Sequence, residues 1–307
     1  MRLIELKRDW RMNKGLYLLV LPIVVYLIIF NYLPMAGIVL GFERFTPKNG
    51  VYMSEWVGLK HFTTFFSSVF FVRVLKNTLI LSLYSVIFGF PAPIIFALLL
   101  NELDNEYYKK VIQVVSYMPN FISTVVISGI IIDFVASDGV ITGMLVNIGF
   151  LKEAKNLLSV PEYFRTIMVL SDLWQQVGFG SILFLAALTG IDQELYEAAV
   201  IDGANRWKQT LNVTIPGIMP TVVIMLIMRI GSLMNANQEK ILLLYNPLIY
   251  ETSDVIGTFV YRKGLLEADY GYSTAVGLFN SAVNVVLHRQ WRVQKVLRDQ
   301  PVLMGGS

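Results

Sequence analysis

Asp172, Gln175 and Gln176 stand three and four residues apart in an otherwise apolar stretch, Ile167–Leu188, with Trp174 between them. That spacing puts the carboxylate and either amide on one face of a helix. Such groups either bind a polar ligand or hydrogen-bond to a neighbouring helix, and both readings stay open. Asp133, Arg229, Asn280 and Asn284 are further polar side chains in apolar surroundings. Arg229 has the alternatives of pairing with an acid across a bundle or reaching for an interface. Covalent chemistry has few candidates. The chain has no cysteine, so disulfides, thiol catalysis and cysteine metal sites are excluded. His61 and His288 lie far apart in sequence, so no histidine zinc site is expected.

A second polar feature interrupts the apolar pattern: Glu197-Ala198-Ala199, then Gly203, then Val213-Thr214-Ile215-Pro216. Asp192 is placed to cap a helix starting at Gln193, and Ile191 with Tyr196 fits a hydrophobic staple. The helix is expected over Gln193–Ile201, with Asp202-Gly203 as its break. A second short helix, Asn205–Asn212, carries Arg206, Trp207 and Lys208, and Pro216 is expected to stop it. An amphipathic pair lying on lipid, anchored by Trp207, accounts for these three residues but not for the full spacing from Glu197 to Pro216.

The elements that must position these residues are membrane spans. Of 307 residues, 55% are hydrophobic and 15% charged, and mean hydropathy is +0.59. Soluble domains carry about 25% charged residues. The net charge of +3 gives no indication of nucleic acid. Six stretches suit a span of about 20 residues: Leu16–Leu40, Leu75–Leu100, Val111–Val135, Ile167–Leu188, Ile218–Met234 and Tyr272–Leu287. The first is too long for a signal peptide and reads as a retained anchor. Basic residues cluster before the first span (Arg2, Lys7, Arg8, Arg11, Lys14) and in the second-to-third loop (Lys109, Lys110). They cluster again in the fourth-to-fifth loop (Arg206, Lys208) and after the sixth span (Arg289, Arg292, Lys295, Arg298). Both termini are therefore expected in the cytoplasm. Prolines 22, 34, 91, 93 and 119 punctuate the first three spans, either as kinks in packing or as points about which helices rock. The outer loops Gly41–Val74 and Asn235–Gly271 are long enough to hold short helices, with or without an external partner.

The run from Glu197 to Pro216 resembles the signature of permease subunits of bacterial ABC importers: Glu-Ala-Ala, three residues, Gly, nine residues, Ile, any residue, Leu-Pro. Val213 and Ile215 replace the consensus Ile and Leu. The stretch Leu195–Ala204 looks like the carbohydrate, maltose-type branch. Asn13–Tyr17, Phe30–Pro34, Phe88–Pro93 and Asp254–Arg262 resemble the lipoprotein-B-like oligo- and polysaccharide permeases. The resemblance implies an all-α integral membrane protein of the type I ABC importer fold, in the bacterial cell membrane. Its parts would be a cytoplasmic N-terminus (1–15), the first helix (16–40), a permease domain (75–287) with a coupling loop (189–217), and a tail (288–307). It implies that Glu197, Ala198, Ala199, Asp202, Gly203 and Pro216 face a cytoplasmic ATPase dimer. It also implies a second homologous permease and an extracellular sugar-binding lipoprotein. No phosphate-cradling Gly…Gly-Lys-Ser/Thr loop occurs here, so ATP and Mg would sit on the ATPase and this chain would be no enzyme. For a sugar substrate, Tyr117, Phe121 and Trp174 are candidate stacking platforms, joined along the path by Asp172, Gln175, Gln176 and Asn280.

The last span departs from the family. Its 16 residues cover about 24 Å before His288-Arg289-Gln290-Trp291-Arg292 arrives, and the tail does not resemble the family's ending. An ion-coupled secondary transporter, or an export or scaffold component using the same loop, are the rival readings.

Overall fold

The computed structural model describes residues 2–51, 53–231, 234 and 237–298. The described residues form two compact units, one from Met1–Ser68 with Val260–Leu278, the other from Val69–Phe259 with Phe279–Ser307.

In the first unit, α1 (Arg2–Leu27) bends at Asn13 (φ −113°, ψ 19°) and carries Pro22. It widens into a π turn over Ile28–Tyr32 and tightens into a 3₁₀ helix over Leu33–Phe42, with Pro34 in the first 3₁₀ turn. None of the residues in its most apolar stretch is buried, as suits a helix facing lipid. The segment that follows departs from the all-α expectation. Glu43–Arg44 and Glu55–Trp56 form a small antiparallel hairpin, with Glu43 opposite Trp56. An Arg44–Glu55 ion pair at 3.0 Å and stacking of Phe42 on Trp56 close it. The short helix that this loop was expected to hold is α2 (Lys60–Ser67), which buries Phe65. His61 Nε2 donates to Glu43 O at 3.0 Å. Gly271 allows this packing: a Cβ there would lie 2.6 Å from Glu43 O.

In the second unit, α3 (Val69–Ile87) and α4 (Pro91–Asn101) form one apolar stretch interrupted at Phe88-Gly89-Phe90. Pro91 falls at the start of α4, where its missing donor costs nothing. Asn105 caps α5 (Glu106–Tyr117), accepting from Tyr107 N and Tyr108 N. Pro119 then sits in a 3₁₀ turn, Met118–Phe121. Ser123 caps α6 (Thr124–Val135), followed by α7 (Val140–Asn147). The continuous span expected over Val111–Val135 is therefore two helices. Pro119 breaks it, α5 stands alone as an amphipathic helix, and the apolar stretch is Thr124–Asn147.

The unit is organised around α8 (Pro161–Leu188). Its buried stripe is Phe164, Met168, Ser171, Gln175, Gly178, Ser181, Phe184 and Leu188, at steps of three or four residues. The middle of that stripe is small or polar. A Cβ at Gly178 would lie 2.2 Å from Ser116 O of α5, and one at Gly180 would lie 3.1 Å from the Pro93 ring of α4. Next come α9 (Gln193–Ile201), α10 (Arg206–Gln209) and α11 (Ile215–Gly231). After them, α12 (Gln238–Leu244), α13 (Tyr250–Ser253) and α14 (Ile256–Tyr261) build the long loop that follows α11.

Asp254, with no exposed side-chain surface, anchors that loop. Arg73 pairs with it at 3.0 Å, and Thr258 donates to its other oxygen at 2.9 Å. Asn77 Nδ2 donates to Glu251 O and Asp254 O, and Asn77 Oδ1 accepts from Arg165 at 2.8 Å. Thr78 Oγ1 accepts from Ile256 N. The Asp254 carboxylate thus ties α3 to the loop, and the Asn77 amide extends the network to Arg165 of α8.

Among the described residues, five stretches are long and apolar enough to cross a membrane: Met12–Phe42, Val69–Asn101, Thr124–Asn147, Pro161–Leu188 and Arg206–Gly231. The sixth expected crossing lies in α15 (Tyr270–Arg298), which is long but carries Asn280, Ser281, Asn284 and a basic end, and is not among the five. Residues 299–307 of the expected tail lie outside the described residues.

The contact at Gly178 yields a direct test. Gly178→Ala should lower the thermal midpoint in detergent, consistent with a cost of roughly 1–3 kcal/mol for overpacking. Gly129→Ala, where a Cβ meets nothing within 4 Å, should be neutral or slightly stabilising. Equal midpoints for both variants would refute the close α5–α8 packing.

Candidate functional site

The polar loop after α8 folds as its residues dictate. Asp192 accepts from Glu194 N at 3.0 Å and starts α9 where expected. Ile191 is buried and Tyr196 packs against the same apolar cluster, which includes Ala97, Phe184, Leu188 and Ile218. Gly217 leaves room for this staple, since a Cβ there would lie 2.8 Å from Ile191 Cδ1.

The helix end is a Schellman closure. Gly203 has φ +73°, Ala204 N donates to Ala199 O at 2.9 Å, and Gly203 N donates to Val200 O at 3.0 Å. Asn205 then caps α10, accepting from Lys208 N.

The expected helix Asn205–Asn212 does not end at Pro216. A π turn over Thr210–Thr214, closed by Ile215 N donating to Thr210 O, carries the helix straight into α11. The extra residue in that turn absorbs the donor that Pro216 lacks. Tyr196 Oη lies 3.0 Å from Thr214 Oγ1, and Gln209 donates to Ala204 O, so α9 is fastened to this turn. Arg206 pairs with Glu102 at 3.3 Å, linking the loop to the end of α4.

What the loop leaves outward is informative. Glu197, Ala198, Asp202, Gly203 and Pro216 are exposed and Ala199 is half-buried. Leu195, Val200, Ile201 and Trp207 are exposed too, Ile201 to 85%. Four large apolar side chains beside a small-residue stripe form a surface suited to a protein partner.

The second site is a cavity of about 290 Å³ among α3, α8, α11 and α12. Of the polar residues singled out from the sequence, Asp172, Gln176 and Arg229 line it, together with Ser82, Ser85 and Asn237. Asp172 Oδ1 accepts from Lys240 Nζ at 2.7 Å and from Asn237 Nδ2 at 3.0 Å, and the Lys240 side chain is completely buried. Arg229 donates to Ser85 Oγ.

The other candidates do not converge there. Gln175 points into the packed stripe of α8. Trp174 is about half exposed. Phe121 is exposed and meets Phe179 edge-on, and Tyr117 is half-buried at the end of α5. Asn280 keeps a buried Oδ1 without a hydrogen-bond partner among the described residues, and Asn284 accepts from Met234 N. Asp133 is exposed. Lys240 and Asn237 escaped the sequence reading because they sit in a loop. The only trace was a lysine directly before the apolar run Ile241–Leu244.

Comparisons with known proteins identify the family. The family described as "Binding-protein-dependent transport system inner membrane component" matches residues 89–290. Protein LplB of Bacillus subtilis (strain 168) is 43% identical, covering 92% of this chain and 87% of its own length. The polygalacturonan/rhamnogalacturonan transport system permease protein YteP of the same organism is 40% identical, covering 90% and 85%. A chain in the crystal structure of a bacterial ABC transporter involved in import of the acidic polysaccharide alginate superposes with a TM-score of 0.87 at 40% identity. That superposition covers 94% of this chain and 98% of the other. With this family match and relatives 40–43% identical over nine-tenths of its length, the chain belongs to the inner membrane components of binding-protein-dependent transport systems.

Proposed function

We propose that this chain is the permease subunit of an ATP-driven importer for oligosaccharides or polysaccharide fragments. The observation that carries the reading is the docking loop. Its outward surface is rigidly capped, and it runs without a break into α11, a wall of the intramembrane cavity. A partner that displaces α9 therefore pulls on a cavity wall. The similarity to saccharide permeases supplies the substrate class.

In this reading the chain crosses the membrane six times, the last crossing in α15, with both termini and residues 189–217 in the cytoplasm. The basic residues flanking the N-terminal helix and following Leu287 support that orientation. Residues 1–15 form the cytoplasmic start, 16–40 the first crossing, 75–287 the permease domain and 288–307 the tail. Glu197, Ala198, Ala199, Asp202, Gly203 and Pro216 present the coupling surface to an ATPase dimer, which binds ATP and Mg. A second homologous permease completes the path, and an extracellular sugar-binding lipoprotein delivers the cargo. Asp172 and Gln176 contact sugar hydroxyls. Tyr117, Phe121, Trp174, Gln175 and Asn280 act only where the second permease or a moved state brings them to the path. ATP binding closes the ATPases, the coupling loops move, and the cavity changes the side it faces.

Vesicles holding the complete transporter should accumulate labelled oligosaccharide only with ATP and the binding protein. Uptake that persists without ATP, driven by an ion gradient, would establish the secondary-transporter reading instead, and ATP-driven efflux would establish export. Gly203→Val tests the coupling surface, because a β-branched residue at φ +73° costs roughly 1–2 kcal/mol and disturbs the closure. The variant should insert normally but co-purify with less ATPase and transport several-fold more slowly. Unchanged transport would remove the coupling role from this turn.

A further inference from the structure

Asn105, Asn156, Asn205 and Asn246 each stand at the start of a helix or 3₁₀ turn and cap it. Their side chains accept from an amide two or three residues on, with ψ between 106° and 168°. Asn237 starts α12 in the same position, since its carbonyl accepts from Ile241 N at 3.0 Å. Yet its ψ is 72° and its side chain makes no cap, which leaves the Glu239 and Lys240 amides without one. The Asn237 amide donates instead to Asp172 Oδ1 of α8. Two donors therefore share one oxygen of Asp172, and they are not equivalent. Lys240 is completely buried, so parting its ammonium from the carboxylate would strand a charge. Asn237 is neutral, half-buried, and lines the cavity beside Asp172 and Gln176. A hydroxyl entering that space is a neutral donor like the amide, so it can take the amide's place on the carboxylate at little net cost. The displaced side chain then has an acceptor oxygen to offer the free amides of α12.

We propose that Asn237 is a positioning residue that cargo switches between two partners. With the cavity empty, Asn237 stands in for cargo on Asp172. A saccharide hydroxyl displaces it, and Asn237 turns to cap the first turn of α12. Lys240 stays on Asp172 throughout as the stationary partner. Because α12 follows the end of α11, the arrival of cargo is registered where that cavity wall ends. The proposal rests on the import reading for the nature of the cargo. The two states are linked, so the factor by which sugar favours the capped helix equals the factor by which a capped helix favours sugar.

The test is amide hydrogen exchange at the start of α12 in the complete transporter in nanodiscs, beside equilibrium binding of trigalacturonate as the probe. In the unaltered chain, saturating probe should slow exchange of the Glu239 and Lys240 amides about threefold to tenfold. Asn237→Ser keeps a capping oxygen on a side chain one bond too short for Asp172. Its exchange should be slow with or without sugar, and it should bind the probe tighter by the same factor. Asn237→Ala should also bind tighter, but its exchange should stay fast in both conditions. Exchange that saturating probe leaves unchanged, equal exchange in the unaltered chain and Asn237→Ser without sugar, or an affinity that neither substitution raises would each overturn the proposal. ATP-driven uptake with sugar-insensitive exchange would leave the import reading standing and remove this one. Sugar-dependent protection with uptake that ignores ATP would do the reverse.

Discussion

Inside hydrocarbon, helices gain little by hiding apolar side chains from one another, because the lipid is equally apolar. What holds them is close approach and polar bonding, and α8 supplies both. At Gly178 its backbone comes so near to Ser116 of α5 that a methyl group would not fit, and at Gly180 it meets the Pro93 ring of α4. The rest of the second unit follows from that rod. It is 28 residues long, about 42 Å, with Arg165 near one end, Asp172 and Gln176 in the cavity wall, and the cap of the docking loop just beyond the other end.

Polar bonding does the second half of the work. The Asp254 cluster and the Asp172 cluster share a design: one carboxylate, a basic partner and amide or hydroxyl donors, drawn from elements distant in sequence. They differ in access. Asp254 is shut away completely and acts as an anchor, whereas Asp172 keeps about a quarter of its side chain exposed towards open space. Each carboxylate is satisfied, yet one remains available to a solute.

How much of this was legible beforehand follows from the range of the forces involved. The helix α9 was readable to the residue, because its cap, staple and glycine closure are all local. The break at Pro119 was misjudged as a kink because hydropathy runs straight through it, and only the cap at Ser123 reveals a fresh start. Pro216 was misjudged in the opposite direction, since a π turn removes the need for its amide. Asp172, Gln176 and Arg229 stood out as costly polar groups, but their partners Lys240, Asn237 and Ser85 did not. Those pairings cross more than sixty residues of sequence and depend on tertiary packing. The aromatic candidates Tyr117, Phe121 and Trp174 lie outside the cavity, since being aromatic near a span does not say which way a ring faces.

The π turn at Thr210–Thr214 has a geometric consequence for the whole rod Arg206–Gly231. One extra residue in a helix rotates everything beyond it by about 100°. That single turn therefore sets the azimuth at which Arg229 leaves the axis relative to the loop that holds Trp207. The helix stays continuous between them, with Pro220 inside α11, so the loop and the cavity wall share one axis. The widened turn thus fixes the phase between the loop and the cavity wall.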